Sequence, residues 1–408
     1  MNSYKKDGSL EALRGVAAFF VIFWHIGLAF FPEFVSVPSR PDVTWSAANQ
    51  IWFVVLNGAS SVQFFFVLSG FVLTRRFFLT DDMSIIIRGA IKRWPRLIGP
   101  VLLGVLGSWF LFWTGAYAYV ETGKLTGAGW LSTFGNAFHS GVRSHITLWH
   151  ALAQGIFSVF FREETYFISD LWSMRSELIG SYVGFGLALF LGATRGKIVP
   201  GIFILTITFI MTSYLSWLMI AFPAGVALAW ALPRKPQPLS ILSLIPLLTV
   251  GLYLLGYSQG ARGAFTPISM LVDGRVPYTF VTTVGACLLI FVVEACPAMR
   301  IALSGRWALF LGSISFPIYI VHVPILASLG AHFYLWYADG RSSAGAGFLA
   351  GAVTVVGAVI VAYPLAIFDR RWTKFVNRVT ARVLADPGQP ALSARQSFDE
   401  GGAATGTV

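Results

Sequence analysis

Two cations interrupt an apolar run near the start of the chain: Arg14 and His25 lie in the stretch Leu10 to Pro32, eleven residues apart. On an α-helix that spacing is a rise of roughly 16 Å and a return to nearly the same face. With Arg14 at a cytoplasmic boundary, His25 stands near or slightly beyond the middle of a hydrocarbon layer about 30 Å thick. An imidazole at that depth serves either as a functional base or as a hydrogen-bonding partner of another helix, and the run alone leaves both readings open. In the next apolar run Ser69 and Gly70 form either a small-residue packing notch, with the serine bonded back along its own helix, or a polar lining beside Arg14. Arg93 and Arg96, in Arg93-Trp94-Pro95-Arg96, stand about one turn apart at a membrane face. Paired guanidiniums suit bidentate phosphate recognition, and equally suit positive-inside anchoring. Glu177 falls roughly 9 Å below the outer boundary of its span, near the level of His25. There it can orient an imidazole and stabilise an imidazolium, or pair with nearby Arg175. His322, ahead of Pro324, reads as an outward-facing site residue or a helix-end hydrogen-bonder. His139, His145 and His150 lack the spacing of a zinc site, so no metal is expected. Glu294 pairs with Arg300 or Arg306 in this reading and carries no chemistry.

The elements that must hold these residues follow from composition. Of 408 residues, 56% are hydrophobic and 12% charged, the balance of a polytopic membrane protein. Apolar runs centred near Phe20, Phe64, Leu106, Gly184, Thr206, Ala224, Leu248, Leu288, Tyr319 and Val356 give an all-α transmembrane bundle of about ten spans. Basic clusters alternate with poorly basic loops in the order that places both termini in the cytoplasm. The net charge of +11 resides in those clusters, which face membrane lipids, so nucleic acid is not an expected partner. Met83 to Pro100 mixes isoleucines with Arg88, Lys92, Arg93 and Arg96 and suits an interfacial helix. Leu148 to Phe161 is too short to span comfortably and suits the interface or a re-entrant segment. Cys287 and Cys296 lie in one apolar stretch and read as free thiols. The first run lacks a small-residue cleavage site and reads as a retained signal anchor. Residues 1–380 form the membrane-embedded domain, and 381–408, rich in Gly, Ala, Ser and Pro after Asp386, read as a disordered cytoplasmic tail.

In series, Leu13-Arg14-Gly15 through Trp24-His25, Phe65-Phe66-Val67-Leu68-Ser69-Gly70, Arg93-Trp94-Pro95-Arg96, Leu171-Trp172-Ser173 with Glu177, and Ile318-Tyr319-Ile320-Val321-His322-Val323-Pro324 resemble the acyltransferase 3 family of integral-membrane O-acyltransferases. The resemblance runs from about Ser9 to Phe375. It implies a multi-pass enzyme of the bacterial inner membrane that moves an acyl group, acetyl in the first instance, from cytoplasmic acyl-CoA to a hydroxyl of an extracytoplasmic or lipid-linked glycan. It implies catalytic roles for His25, as general base or acyl carrier, and for Glu177 as its orienting acid. Arg14, Arg93 and Arg96 would hold the donor's phosphates, Ser69 would line the donor path, and Trp172, Arg175 and His322 would contact the acceptor. Arg175 stands where the family motif usually continues with small or apolar residues, and either tunes an acidic acceptor or neutralises Glu177. Some members carry a fused hydrolase-like domain that this chain lacks. The rival expectation is a transporter that moves an acylated or glycosidic lipid without making a bond, for which paired broken helices in inverted repeats would speak. Length permits a monomer, and oligomeric state stays open.

Overall fold

In lipid the backbone must satisfy its own hydrogen bonds, so long apolar runs become helices. The structure, a computed structural model, describes residues 8–35, 45–136, 146–232 and 238–384. All ten apolar centres lie in helices: α1 Gly8–Phe30, α2 Gly58–Thr80, α3 Met83–Thr114, α4 Ser173–Ala193, α5 Ile198–Leu215, α6 Ala221–Ala231, α7 Ile241–Gly256, α8 Tyr278–Ala295, α9 Arg306–Ile325 and α10 Ala344–Val383. Among the described residues eight helices are long and apolar enough to cross a membrane, while α6 and α7 belong to a set of shorter apolar helices. The protein is therefore an all-helical polytopic membrane bundle.

Three details differ from the pattern read in the sequence. The interfacial stretch Met83 to Pro100 is not a separate helix; it is the first half of α3, which runs unbroken for 32 residues through Pro95 and Pro100. α9 continues through a π turn, Leu326–Gly330, into Ala331–Ala338, so this span is 33 residues long. α10 reaches Val383, three residues into the stretch read as tail, and the rest of that stretch from residue 385 lies outside the described residues. Leu148 to Phe161 is helical around a π turn and lies along α3. There Trp94 Nε1 donates to the Ile156 carbonyl at 3.3 Å, and a Cβ on Gly155 would fall 2.8 Å from Leu102.

The packing that matters most joins α1 to α9. A Cβ on Gly15 would stand 2.5 Å from the backbone carbon of Leu311, and one on Gly312 would stand 2.5 Å from the carbonyl oxygen of Glu11. Only glycine permits that approach, since real Cβ contacts do not come so close. His25 lies ten residues beyond Gly15 and His322 ten beyond Gly312. Two parallel helices pinned at the glycines therefore deliver both histidines to one level, about 15 Å further along. α2 meets α6 in the same way: a Cβ on Gly70 would be 2.3 Å from the Phe222 carbonyl oxygen. Gly70 is thus a packing notch, as one of the two readings of that pair requires.

This packing generates a stability prediction. Gly312→Val should lower the unfolding temperature of the detergent-solubilised protein by several degrees, because α1 and α9 must separate. Gly186→Ala, on α4 with nothing within 4 Å of its added carbon, should leave it unchanged or raise it. Equal tolerance of both changes would contradict the glycine contact.

Candidate active site

Near the basic end of the bundle α2, α3 and α4 place three polar side chains in contact. Arg93 forms a buried ion pair with Glu177, and Ser69 Oγ donates to the same carboxylate oxygen at 2.5 Å. Arg93 Nε also donates to Ser181 Oγ at 2.8 Å, and Ser181 in turn bonds the Glu177 carbonyl. Both charged side chains are nearly enclosed, at 9% and 13% exposure, so each is the other's condition for burial. This network borders a cavity of about 470 Å³ whose walls also carry Arg14, Arg96, Arg370, Lys374, Ser173 and Tyr319. Arg14 pairs with Glu11 at 2.8 Å. Arg96, Arg370 and Lys374 have no hydrogen-bond or ion-pair partner among the described residues. The wall also carries the acidic residues Glu11 and Asp369, so the cavity lining is mixed in charge with an excess of cations.

Tyr319, three residues before His322 and with its ring centroid 5.9 Å from that imidazole, lines the cavity, whereas neither His25 nor His322 does. Tyr319 Oη donates to the Asp170 carbonyl at 2.7 Å, stands 2.8 Å from Ser173 Oγ, and packs edge-on against Phe65. Past this partition lies the histidine pair. His322 Nε2 is 2.8 Å from His25 Nδ1, and His25 stacks on Trp130 with ring centroids 4.9 Å apart. His322 itself has no solvent exposure, and its Nδ1 faces the carbonyl oxygens of Tyr319 at 2.7 Å and Ile318 at 3.2 Å.

These partners fix the tautomers. Carbonyls only accept, so His322 Nδ1 carries its proton and, with both rings neutral, Nε2 is an acceptor. His25 Nδ1 must then be the donor, which leaves a lone pair on His25 Nε2. That nitrogen is the one in the pair free to accept a proton. Asp170 lies behind His322, with Oδ2 3.6 Å from Nδ1, and its carboxylate has no hydrogen-bond partner among the described residues.

The structure thus sorts the residues singled out in the sequence. It brings Arg14, Ser69, Arg93, Arg96 and Glu177 to one cavity. It does not bring Glu177 to His25. Glu177 lies seven residues beyond Asp170, about 10 Å nearer the basic end, and there Arg93 and Ser69 claim its carboxylate. The pairing with Arg175 also fails: Arg175 bonds exposed Glu163 at 3.1 Å. Neither Arg175 nor Trp172 lines the cavity, and Trp172 packs against the core. Ser69 is not bonded back along its own helix. His322 has no solvent exposure, and its Nε2 is turned to His25. His150 pairs with Glu164, whereas His139 and His145 lie outside the described residues. Among the described residues no group of three or more His, Cys, Asp or Glu could hold a metal.

Asp170, Tyr319, Ser181, Arg370 and Lys374 were not singled out by the sequence. For Asp170 the available signal was its place directly ahead of the Leu171-Trp172-Ser173 motif.

A protein-family model described as an acyltransferase domain, Acyl_transf_3, matches residues 7–367. Neither a curated protein nor a solved structure matches the chain.

The Arg93–Glu177 pair yields a prediction. Arg93→Met or Glu177→Gln alone should each destabilise the protein by about 3 kcal/mol, since the abandoned partner stays buried and charged. The double replacement should cost clearly less than the sum in denaturant unfolding. Additive costs would contradict the pairing.

Proposed function

Because the chain belongs to the acyltransferase 3 family and is a membrane acyltransferase, we propose that it moves an acyl group, acetyl in the first instance, from acyl-CoA to a sugar hydroxyl. In this reading the donor enters from the cytoplasm, the acceptor is an extracytoplasmic or lipid-linked glycan, and the enzyme resides in a bacterial inner membrane. The observation that carries it is the cavity whose wall holds Arg96, Arg370 and Lys374, none of them ion-paired among the described residues, together with Tyr319, one helical turn before the His322 that bonds His25.

Acyl-CoA suits such a cavity because one end of it is phosphate-rich and the other is an uncharged thioester arm. Arg96, Arg370 and Lys374, with Arg14, hold the phosphates. Arg93 is committed to Glu177 and shapes the cavity wall, so its part in donor binding is indirect. Ser69 and Glu177 line the path of the pantetheine arm, and Tyr319 with Phe65 and Ser173 must give way for the thioester to reach His25. At the reacting centre the acceptor oxygen attacks the thioester carbon while its proton passes to His25 Nε2. The C–S bond breaks, and the departing thiolate takes that proton. The products are an acyl ester and free CoA, and no acyl-histidine is required.

Comparing two donors tests the division of labour. Arg96→Ala should raise KM for acetyl-CoA about tenfold, the worth of one lost charge-assisted bond, yet leave KM for S-acetylpantetheine, which lacks the nucleotide phosphates, unchanged. His25→Ala should abolish transfer of labelled acetyl into the membrane glycan fraction while the protein still binds acetyl-CoA. Undiminished transfer in His25→Ala would remove the histidine from the mechanism.

A further inference from the structure

Asp170 is a buried carboxylate that the structure leaves without a hydrogen bond. It is 3% exposed, and neither oxygen has a donor among the described residues. Buried carboxylates are ordinarily paired or hydrogen-bonded, and an orphan of this kind calls for a cause. Its backbone is clamped, since its carbonyl accepts from Tyr319 Oη at 2.7 Å and from Ser173 Oγ at 3.3 Å. The nearest charge-bearing group is His322 Nδ1, 3.6 Å from Oδ2. That nitrogen at present donates to the Tyr319 carbonyl at 2.7 Å. A displacement of less than about 1 Å would bring it within hydrogen-bond range of the carboxylate.

We propose that Asp170 is a positioning residue for the transfer reaction, acting through His322 as the counter-charge to the proton that His25 takes from the acceptor. The inference rests on the reading of His25 as the base. When His25 Nε2 gains that proton, its ring becomes cationic, and its Nδ1–H bond to His322 Nε2 lets the charge be shared between the two rings. His322 Nδ1–H then turns from the Tyr319 carbonyl to the Asp170 carboxylate. No proton is consumed by the relay. It returns through His25 to the departing thiolate, and the carboxylate ends as it began. Glu177 cannot take this part, because Arg93 and Ser69 already hold its carboxylate. Tyr319 ties the two halves together: its hydroxyl fixes the Asp170 backbone while its carbonyl competes for the His322 proton.

The test uses the full chain in membranes, with labelled acetyl-CoA as donor and acetyl incorporated into the membrane glycan fraction as product. Asp170→Asn, which keeps the shape and removes the charge, should lower kcat by on the order of 10²-fold with KM for acetyl-CoA unchanged. His322→Ala should fall comparably, and the double variant should be no slower than His322→Ala alone, since the carboxylate works only through that ring. Asp170→Glu, which restores the charge, should recover part of the rate and covers the case in which the Asn variant fails to fold. Wild-type kcat in Asp170→Asn, multiplying effects in the double variant, or equal loss in Asn and Glu variants would overturn the proposal. Loss of rate in His25→Ala beside wild-type rate in Asp170→Asn would overturn this inference alone, whereas activity in His25→Ala would overturn the reading beneath it.

Discussion

The hydrogen bond between His25 and His322 depends on a contact between two helix backbones. Imidazoles on neighbouring spans meet only if the helices run close and in register, and side chains larger than a hydrogen atom would hold α1 and α9 apart. Gly15 and Gly312 remove that obstacle, and equal ten-residue intervals carry the register forward to the histidines. The position of the free lone pair follows from this geometry: because carbonyls occupy His322 Nδ1, it emerges on His25 Nε2.

Charge is distributed along the bundle in two separate compartments. Toward the basic end Glu177 is spent on Arg93, and the cations left over face the cavity. Beyond Tyr319 the histidines stand with Asp170 alone behind them. The partition keeps the two carboxylates from exchanging roles, as each is held within reach of only one basic partner. It also places a hydrogen-bonded tyrosine between the cavity with its cationic wall and the histidine pair, the order in which the proposed donor would encounter them.

Much of this was legible in the sequence. Long apolar runs specify helices in lipid whatever their neighbours, and all ten centres fell within helices. The eleven-residue interval from Arg14 to His25 lies within one helix, so its geometry required no knowledge of packing. Contacts between helices were another matter. Glu177 and Asp170 are only two turns apart on the same inward-running stretch, and an uncertainty of one turn in depth exchanges their partners. Arg93 and Arg96 looked equivalent from spacing, yet α4 supplies Glu177 to one and nothing to the other. Arg175 was drawn to Glu177 by proximity along the chain, although residues two apart on a helix do not share a face. Lateral neighbours depend on the glycine contacts, and a glycine in a single sequence does not say which helix it admits.

The central claim is that the cavity conducts a thioester from the cationic wall to His25. The most direct measurement is a cryo-EM structure of the full chain with a non-reactive thioether analogue of acetyl-CoA. The phosphates should lie against Arg96, Arg370 and Lys374, the pantetheine arm should pass Ser69 and Glu177, and Tyr319 should be displaced. The carbon standing for the thioester carbonyl should sit where an acceptor oxygen in reach of His25 Nε2 could approach it at about 3–3.5 Å. An analogue seated elsewhere, or one bound in the cavity with its acyl end held on the near side of an undisturbed Tyr319, would contradict the account.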